Sequence, residues 1–212
     1  MTRSAPRKSA CLTVIMGAVN EAVTAGKLGR HRLGGLTVRA HAQGAAQIIP
    51  ATAAQLTKLV GGIGTEVALT VWLMRGCGLR INEALAVRLD NFRDDGKTLR
   101  ACEQVARDGS LAPLKAHKAN EHRDCPVSAW LWARVRAHVA EFGTDDGYLF
   151  ASLGKRVCYA GYHGRFTAAA KRAGLGGDFT EHTLRHQYVS VLLAANVPLT
   201  DVATFVGHRI SG

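Results

Sequence analysis

The stretch Thr180-Glu181-His182-Thr183-Leu184-Arg185-His186 sets two imidazoles close to a guanidinium, and a further imidazole follows at Gly207-His208. Far upstream, the turn Gly78-Leu79-Arg80, with Glu83 one helical turn on, offers a second guanidinium. Two arginine forks and several imidazole donors suit an anion with several oxygens, and a phosphodiester is the natural candidate. No acidic cluster in the chain is arranged to hold a metal ion, so the chemistry these residues suggest is metal-independent.

Each residue has an expected setting. Arg80 falls in the first turn of a helix, where the partial positive charge of the helix end opposes a cation, and Glu83 on the same face can offset that and aim the guanidinium. His182 and Arg185, three apart, share a helical face and are expected to look outward together, while Leu184, Val189, Leu192 and Leu193 point to the core. His186 lies beside that apolar face and fits a hydrogen-bonded structural histidine as well as a catalytic one. Gly207 allows a sharp turn that presents His208. Lys115 and Lys118 sit in a turn before a strand, from which a flexible amine can reach a bound backbone or a leaving group. Taken singly, each feature also has an ordinary explanation as a surface ion pair, a capped helix end or a solvated amine.

The elements that must position these residues are mostly helical. Leu12, Ile15, Met16, Val19 and Val23 mark an amphipathic helix over Ser9 to Ala25, with Gly26 as its cap, and the Gly-rich, basic stretch that follows to Gln47 reads as a linker. A new unit opens at Pro50, where Thr52 and Gln55 have capping-box spacing. Helices are expected from there, over Thr65 to Cys77 with apolar residues on most faces, and from Ile81 through Leu85 to Leu89. The runs Thr98 to Val105, Leu111 to Lys115 and Arg123 to Val127 predict a small three-stranded antiparallel sheet. Further helices follow Ser128, cover Ala160 to Ala173 and Glu181 to Ala195, and close with a short one over Asp201 to Val206.

Composition agrees with a phosphate-bearing partner. The 212 residues are 47% apolar, enough for a sizeable core, and carry 27 Lys and Arg against 16 Asp and Glu, a net charge of +11. The excess extends to both parts of the chain: seven basic against one acidic in residues 1–50, twenty against fifteen in the rest. Cys11, Cys77, Cys102, Cys125 and Cys158 are odd in number and contain no C-x-x-C pair, so they indicate neither a disulfide framework nor a zinc site. No apolar run approaches a membrane span, and a cytoplasmic, nucleoid-associated location is expected.

Four segments in order resemble the tyrosine recombinases, the phage-integrase type of DNA breaking and rejoining enzyme. They are G-L-R-I-N-E-A-L-A-V-R-L at Gly78 to Leu89, K-A-H-K-A-N-E-H-R-D-C-P-V at Lys115 to Val127, H-T-L-R-H at His182 to His186 and V-G-H at Val206 to His208. The resemblance implies a mainly α catalytic domain with a small three-stranded antiparallel sheet over residues 50–212. Residues 1–49 would then be the remnant of an N-terminal core-binding domain, its last helix plus a linker. It also implies that Arg80, Arg185 and His208 hold the non-bridging oxygens of a scissile phosphate, that His182 assists removal of a proton from the nucleophile, and that a hairpin lysine protonates the departing oxygen. Spacing to Pro126 favours Lys118 for that role over Lys115, which stays a supporting candidate with Glu83 and His186. No cofactor or metal is implied, and double-stranded DNA is the partner.

The family's nucleophile is a tyrosine a short way beyond the Gly-His pair, and none of Tyr148, Tyr159, Tyr162 and Tyr188 stands there. This chain is therefore expected to be inactive alone, as a catalytic domain truncated before its tyrosine. The alternatives are a degenerate remnant that only binds DNA and, further off, an unrelated helical DNA-binding regulator. Relatives assemble as tetramers on paired sites and often exchange a C-terminal tail; this chain is expected to be a monomer.

Overall fold

A computed structural model of the chain describes residues 5–29, 50–115 and 121–208, with side chains from Val14 onward. The chain divides into two units, residues 1–48 and 49–212. In the first, helix α1 (Ala5–Thr24) is followed by Gly26 at φ 67°, the left-handed cap that the sequence provides. Val14 and Ile15 on α1 are exposed. Most of the expected linker, residues 30–47, lies outside the described residues.

The second unit begins with α2 (Ala53–Ile63), whose start is fixed by a reciprocal box: the Gln55 backbone N–H donates to Thr52 Oγ1 at 3.2 Å and the Thr52 N–H to Gln55 Oε1 at 3.0 Å. Helix α3 (Thr65–Cys77) runs through the centre. Val67, Leu69, Val71, Leu73, Met74 and Cys77 are all buried, which accounts for its apolar residues on most faces. Helix α2 packs on α6 (Tyr159–Arg172), and α3 packs between α5 (Ala129–Phe142) and α7 (Glu181–Ala194). Full burial of each large aliphatic side chain contributes about 1.5–3 kcal/mol, so this seam fixes where the ends of α3 and α7 lie.

Gly78 ends α3 in the left-handed region at φ 63°, and a Cβ added there would lie 2.5 Å from Tyr188 Cδ1. Only glycine fits that close approach. The next helix, α4 (Ile81–Leu85), is shorter than its apolar spacing predicts, because the chain leaves it at Ala86 and Leu89 opens a separate 3-10 turn over Leu89–Asn91. At the other end of the unit, α8 (Leu199–Val206) starts two residues before the expected Asp201, after Pro198.

Among the described residues the largest sheet has three antiparallel strands, as expected, but one of the three is not an expected one. Its order is β1 (Phe92–Arg93), β2 (Thr98–Ala101), β5 (Arg123–Pro126), with Leu99 opposite Cys125 and Ala101 opposite Arg123. The run expected as one strand, Thr98 to Val105, breaks at Cys102; its second half, β3 (Glu103–Val105), pairs instead with β4 (Leu111–Pro113). The strand that takes the place of Leu111–Pro113 is two residues long and joined to β2 through Asp94, Asp95 and Gly96, all at positive φ. A second small ribbon, β6 (Ala151–Ser152) with β7 (Lys155–Arg156), follows α5.

Candidate functional site

Arg80 caps α4 rather than lying in its first turn. Its backbone N–H donates to Glu83 Oε2 at 2.8 Å and its Nη1 to Glu83 Oε1 at 2.8 Å, so Glu83 holds Arg80 by backbone and side chain at once. The Glu83 carboxylate is completely buried, whereas the Arg80 side chain keeps about a quarter of its surface exposed, at 23%. A second cation reaches the same carboxylate from β5: Arg123 Nη1 donates to Oε1 at 3.2 Å and Nη2 to Oε2. Burial by itself would push the Glu83 carboxyl up; the hydrogen bonds and charge of Arg123, with the hydrogen bonds of Arg80, outweigh it and hold the group below the usual range.

Sequence spacing does not reveal Arg123. Its signal is the two-residue period of a strand, since Arg123, Cys125 and Val127 are buried while Asp124 and Pro126 are not. An inward arginine on a strand needs a buried acid, and Glu83 is that acid.

Arg185 does not look outward. It is 2% exposed, and its Nη1 donates to the Gly78 carbonyl at 2.5 Å and its Nη2 to the Val206 carbonyl. The flank of α7 that carries it faces the ends of α3 and α8, where two chain segments leave carbonyls without helical partners. A guanidinium has five N–H donors, so three remain for a ligand. Burial and then the nearby Arg80 guanidinium pull the Arg185 pKa down to about 10, which leaves it a cation at neutral pH. Leu184 is buried as expected, but Val189 and Leu192 are only half-buried and Leu193 is exposed, because α7 runs past the edge of the core.

His182 and His186 are exposed and meet edge to face, ring centroids 4.5 Å apart. His208 follows Gly207, which is left-handed at φ 64°, and its backbone N–H donates to the Ala203 carbonyl at 2.9 Å. Burial first, and then the positive charge of neighbours, hold both His182 and His208 below the ordinary imidazole value. For His182 those neighbours are His186, Arg185, Arg80 and His208; for His208 they are Arg185, Arg80, His186 and Arg123. Arg80, His182, Arg185, His186 and His208 thus lie within electrostatic reach of one another.

Arg80, His182 and Lys115 line one open cleft of about 520 Å³, together with Asn82, Gln104 and Thr180. Arg185, His186 and His208 are not on its walls. Lys118 lies outside the described residues. The lining also includes a group that sequence spacing did not single out: His163, stacked on Tyr159 at 5.2 Å, donates through Nδ1 to the buried Glu181 at 2.7 Å. Among the described residues no three His, Cys, Asp or Glu side chains are grouped so as to hold a metal ion, and no helix is long and apolar enough to cross a membrane.

Residues 50–211 match the sequence model of the Phage integrase family, more than half of the chain. The chain belongs to the phage integrase family. Membership removes the unrelated helical regulator from consideration. The tyrosine recombinase XerC of Mannheimia succiniciproducens is 26% identical over 136 residues, which cover 64% of this chain and 43% of that protein. XerC of Escherichia coli O1:K1 / APEC is 30% identical over 143 residues, covering 60% of this chain and 47% of that protein. This phage integrase family member therefore spans less than half the length of the curated relatives it matches. Its fold is that of the Tn1549 transposon integrase, solved in complex with circular intermediate DNA: the TM-score is 0.76 at 15% identity, over 98% of this chain and 72% of that one. That likeness is one of fold.

Proposed function

We propose that residues 50–212 are the catalytic domain of a tyrosine recombinase, which binds double-stranded DNA and holds a scissile phosphate for metal-independent strand breaking and rejoining in site-specific recombination or integration. The observation that carries this reading is the position of Arg185. One buried guanidinium ties the carbonyl two residues before Arg80 to the carbonyl two residues before His208, and this link supports reading the three segments as parts of one anion site. Family membership and the net charge of +11 support the same partner.

In this reading Arg80 and Arg185 hold the non-bridging oxygens and His208 adds a donor. Their cationic groups are fixed before the phosphorus becomes five-coordinate, so they stabilise the added negative charge of the transition state without rearrangement. His182, held toward its neutral form by its surroundings, is suited to accept a proton from the nucleophile. Lys115 in the cleft wall, or Lys118, protonates the departing oxygen. Tyr162 and Tyr188 are buried and their hydroxyls are pushed up by burial, and Tyr148 donates to Glu103, so none of these is offered as the nucleophile. That role falls to a tyrosine C-terminal to His208, which attacks phosphorus and leaves a phosphotyrosyl link and a free hydroxyl. Residues 1–49 are read as the last helix and linker of a core-binding domain, the protein as acting at the nucleoid, and residues 1–212 alone as a monomer.

The test uses the coding sequence read through beyond Gly212. The extended protein, incubated with duplex target DNA in EDTA, should give a covalent protein–DNA adduct on a denaturing gel, and Arg185→Ala should abolish it. An adduct that requires a divalent metal overturns the mechanism. No adduct, together with duplex binding that weakens steeply with salt, supports the non-catalytic DNA-binding alternative.

A further inference from the structure

We infer that Arg123 is a positioning residue that sets, from one buried point, both the direction of the Arg80 guanidinium and the place of the His208 imidazole. The inference rests on the reading of Arg80 and His208 as phosphate ligands. All three guanidinium nitrogens of Arg123 are engaged. Nη1 and Nη2 donate to the two oxygens of Glu83, and Nε donates to the Phe205 carbonyl at 3.0 Å. The Arg123 side chain is 3% exposed and Glu83 is fully buried. One side chain on β5 therefore joins α4, which carries Glu83, to the last turn of α8.

Two consequences follow for the ligands. A carboxylate offers about four acceptor positions, and Glu83 receives four hydrogen bonds, two from Arg123 and two from Arg80. Glu83 cannot then turn both oxygens onto the Arg80 fork. Of the Arg80 guanidinium only Nη1 is gripped, and Nη2 and Nε are left for an anion in the cleft. The charge is divided in the same way: one carboxylate serves two guanidiniums, so the trio keeps a net positive charge, and the exposed part of it is Arg80.

The second consequence concerns α8. The last carbonyls of a helix have no partner within it, and two of them here are capped from elsewhere: Phe205 by Arg123 and by the Cys125 thiol at 3.2 Å, and Val206 by Arg185. Gly207 then turns and His208 follows. The end of α8 is clamped from β5 on one side and α7 on the other, which fixes where the imidazole emerges. A lysine at 123 would keep the charge and lose the bridge, because one ammonium lacks the planar fork that spans Glu83 and Phe205 together.

The experiment compares the whole chain with its Arg123→Lys and Asp124→Asn variants, the second a control on the same strand. Inorganic phosphate and a short DNA duplex are titrated in turn, and the Arg80 Nε–H and His208 imidazole resonances are followed by nitrogen-edited NMR. In the parent chain both resonances should move along one binding curve. Arg123→Lys should weaken that response about tenfold and shift the two resonances in the free protein, while its thermal transition stays cooperative; Asp124→Asn should match the parent. If Arg123→Lys does not fold, the double variant Glu83→Gln, Arg123→Gln removes both buried charges together, and it should fold yet show the same weakened response. A parent-like response in Arg123→Lys, or in the double variant where Arg123→Lys does not fold, overturns the role of Arg123 alone. A parent chain that responds to neither phosphate nor duplex overturns the reading of the site and this inference with it.

Discussion

Strand β5 carries two ion pairs on consecutive residues, and they face opposite ways. Arg123 turns inward to Glu83, where the two side chains are 3% and 0% exposed. Asp124 turns outward to Arg100, where bonds of 2.9 Å join side chains that are 34% and 42% exposed. Both are two-bond contacts of a guanidinium with a carboxylate, so geometry does not distinguish them; surroundings do. Water can replace either partner of the outer pair, whereas an inner partner left alone stays charged and dry. The inner pair can therefore hold other groups in place, and the outer one decorates the surface.

The sharpest way to break this contrast is to delete the shared acid. Glu83→Ala should leave Arg123 buried without a counter-charge and lower the unfolding free energy by about 3–5 kcal/mol, measured by urea denaturation at neutral pH. A loss no larger than that of an exposed acid would show that the inner pair is as replaceable as the outer one. Arg185→Lys comes next: an ammonium cannot reach both the Gly78 and Val206 carbonyls, and leaving one unpaired should cost about 1–3 kcal/mol, with weaker duplex binding by fluorescence anisotropy.

A smaller effect should appear with pH. His182 and His208 lie below the ordinary value of 6.5 because burial and neighbouring cations disfavour their charged forms. Their contribution to stability is fully present above 6.5 and is lost as pH falls from there through their lowered folded values. A bound phosphate reverses the balance by favouring the imidazolium, so duplex affinity should rise as pH falls through the same window, and His208→Ala should flatten the slope. Affinity independent of pH there would separate the histidines from the anion site. Smallest of all, Asp124→Asn should leave the melting temperature within about a degree of the parent, and a larger drop would close the gap between the two faces of β5.

The helices were legible where local chemistry marks their ends. Thr52 with Gln55, Gly78, Ser128 before Leu131 and Asn196 at φ 58° all act within a turn of the residue they cap, so a short window of sequence contains the cause. The anion-binding residues were legible as types and spacings, but their settings were not. Helical periodicity places Arg185 on a flank of α7 and cannot say that the flank closes against the ends of α3 and α8. Strand partners were the weakest point, since the break at Cys102 passes pairing from β5 to β4, and β1 at two residues is too short to show alternation. Arg123 and Glu83 are forty positions apart, and no local pattern joins them.

Gly78 contributes no reactive group, yet it sits at the end of α3 against Tyr188 of α7 and Val206 of α8. An added methyl would also fall 2.8 Å from Tyr188 Cε1 and 3.0 Å from Val206 Cγ1, on a backbone that L side chains rarely adopt. The wedge would drive apart the helices that Arg185 stitches together, and the two arginines and His208 would lose their common focus with every charged atom still present. A mutational scan of this domain should rank the bare backbone at 78 beside its most reactive side chains.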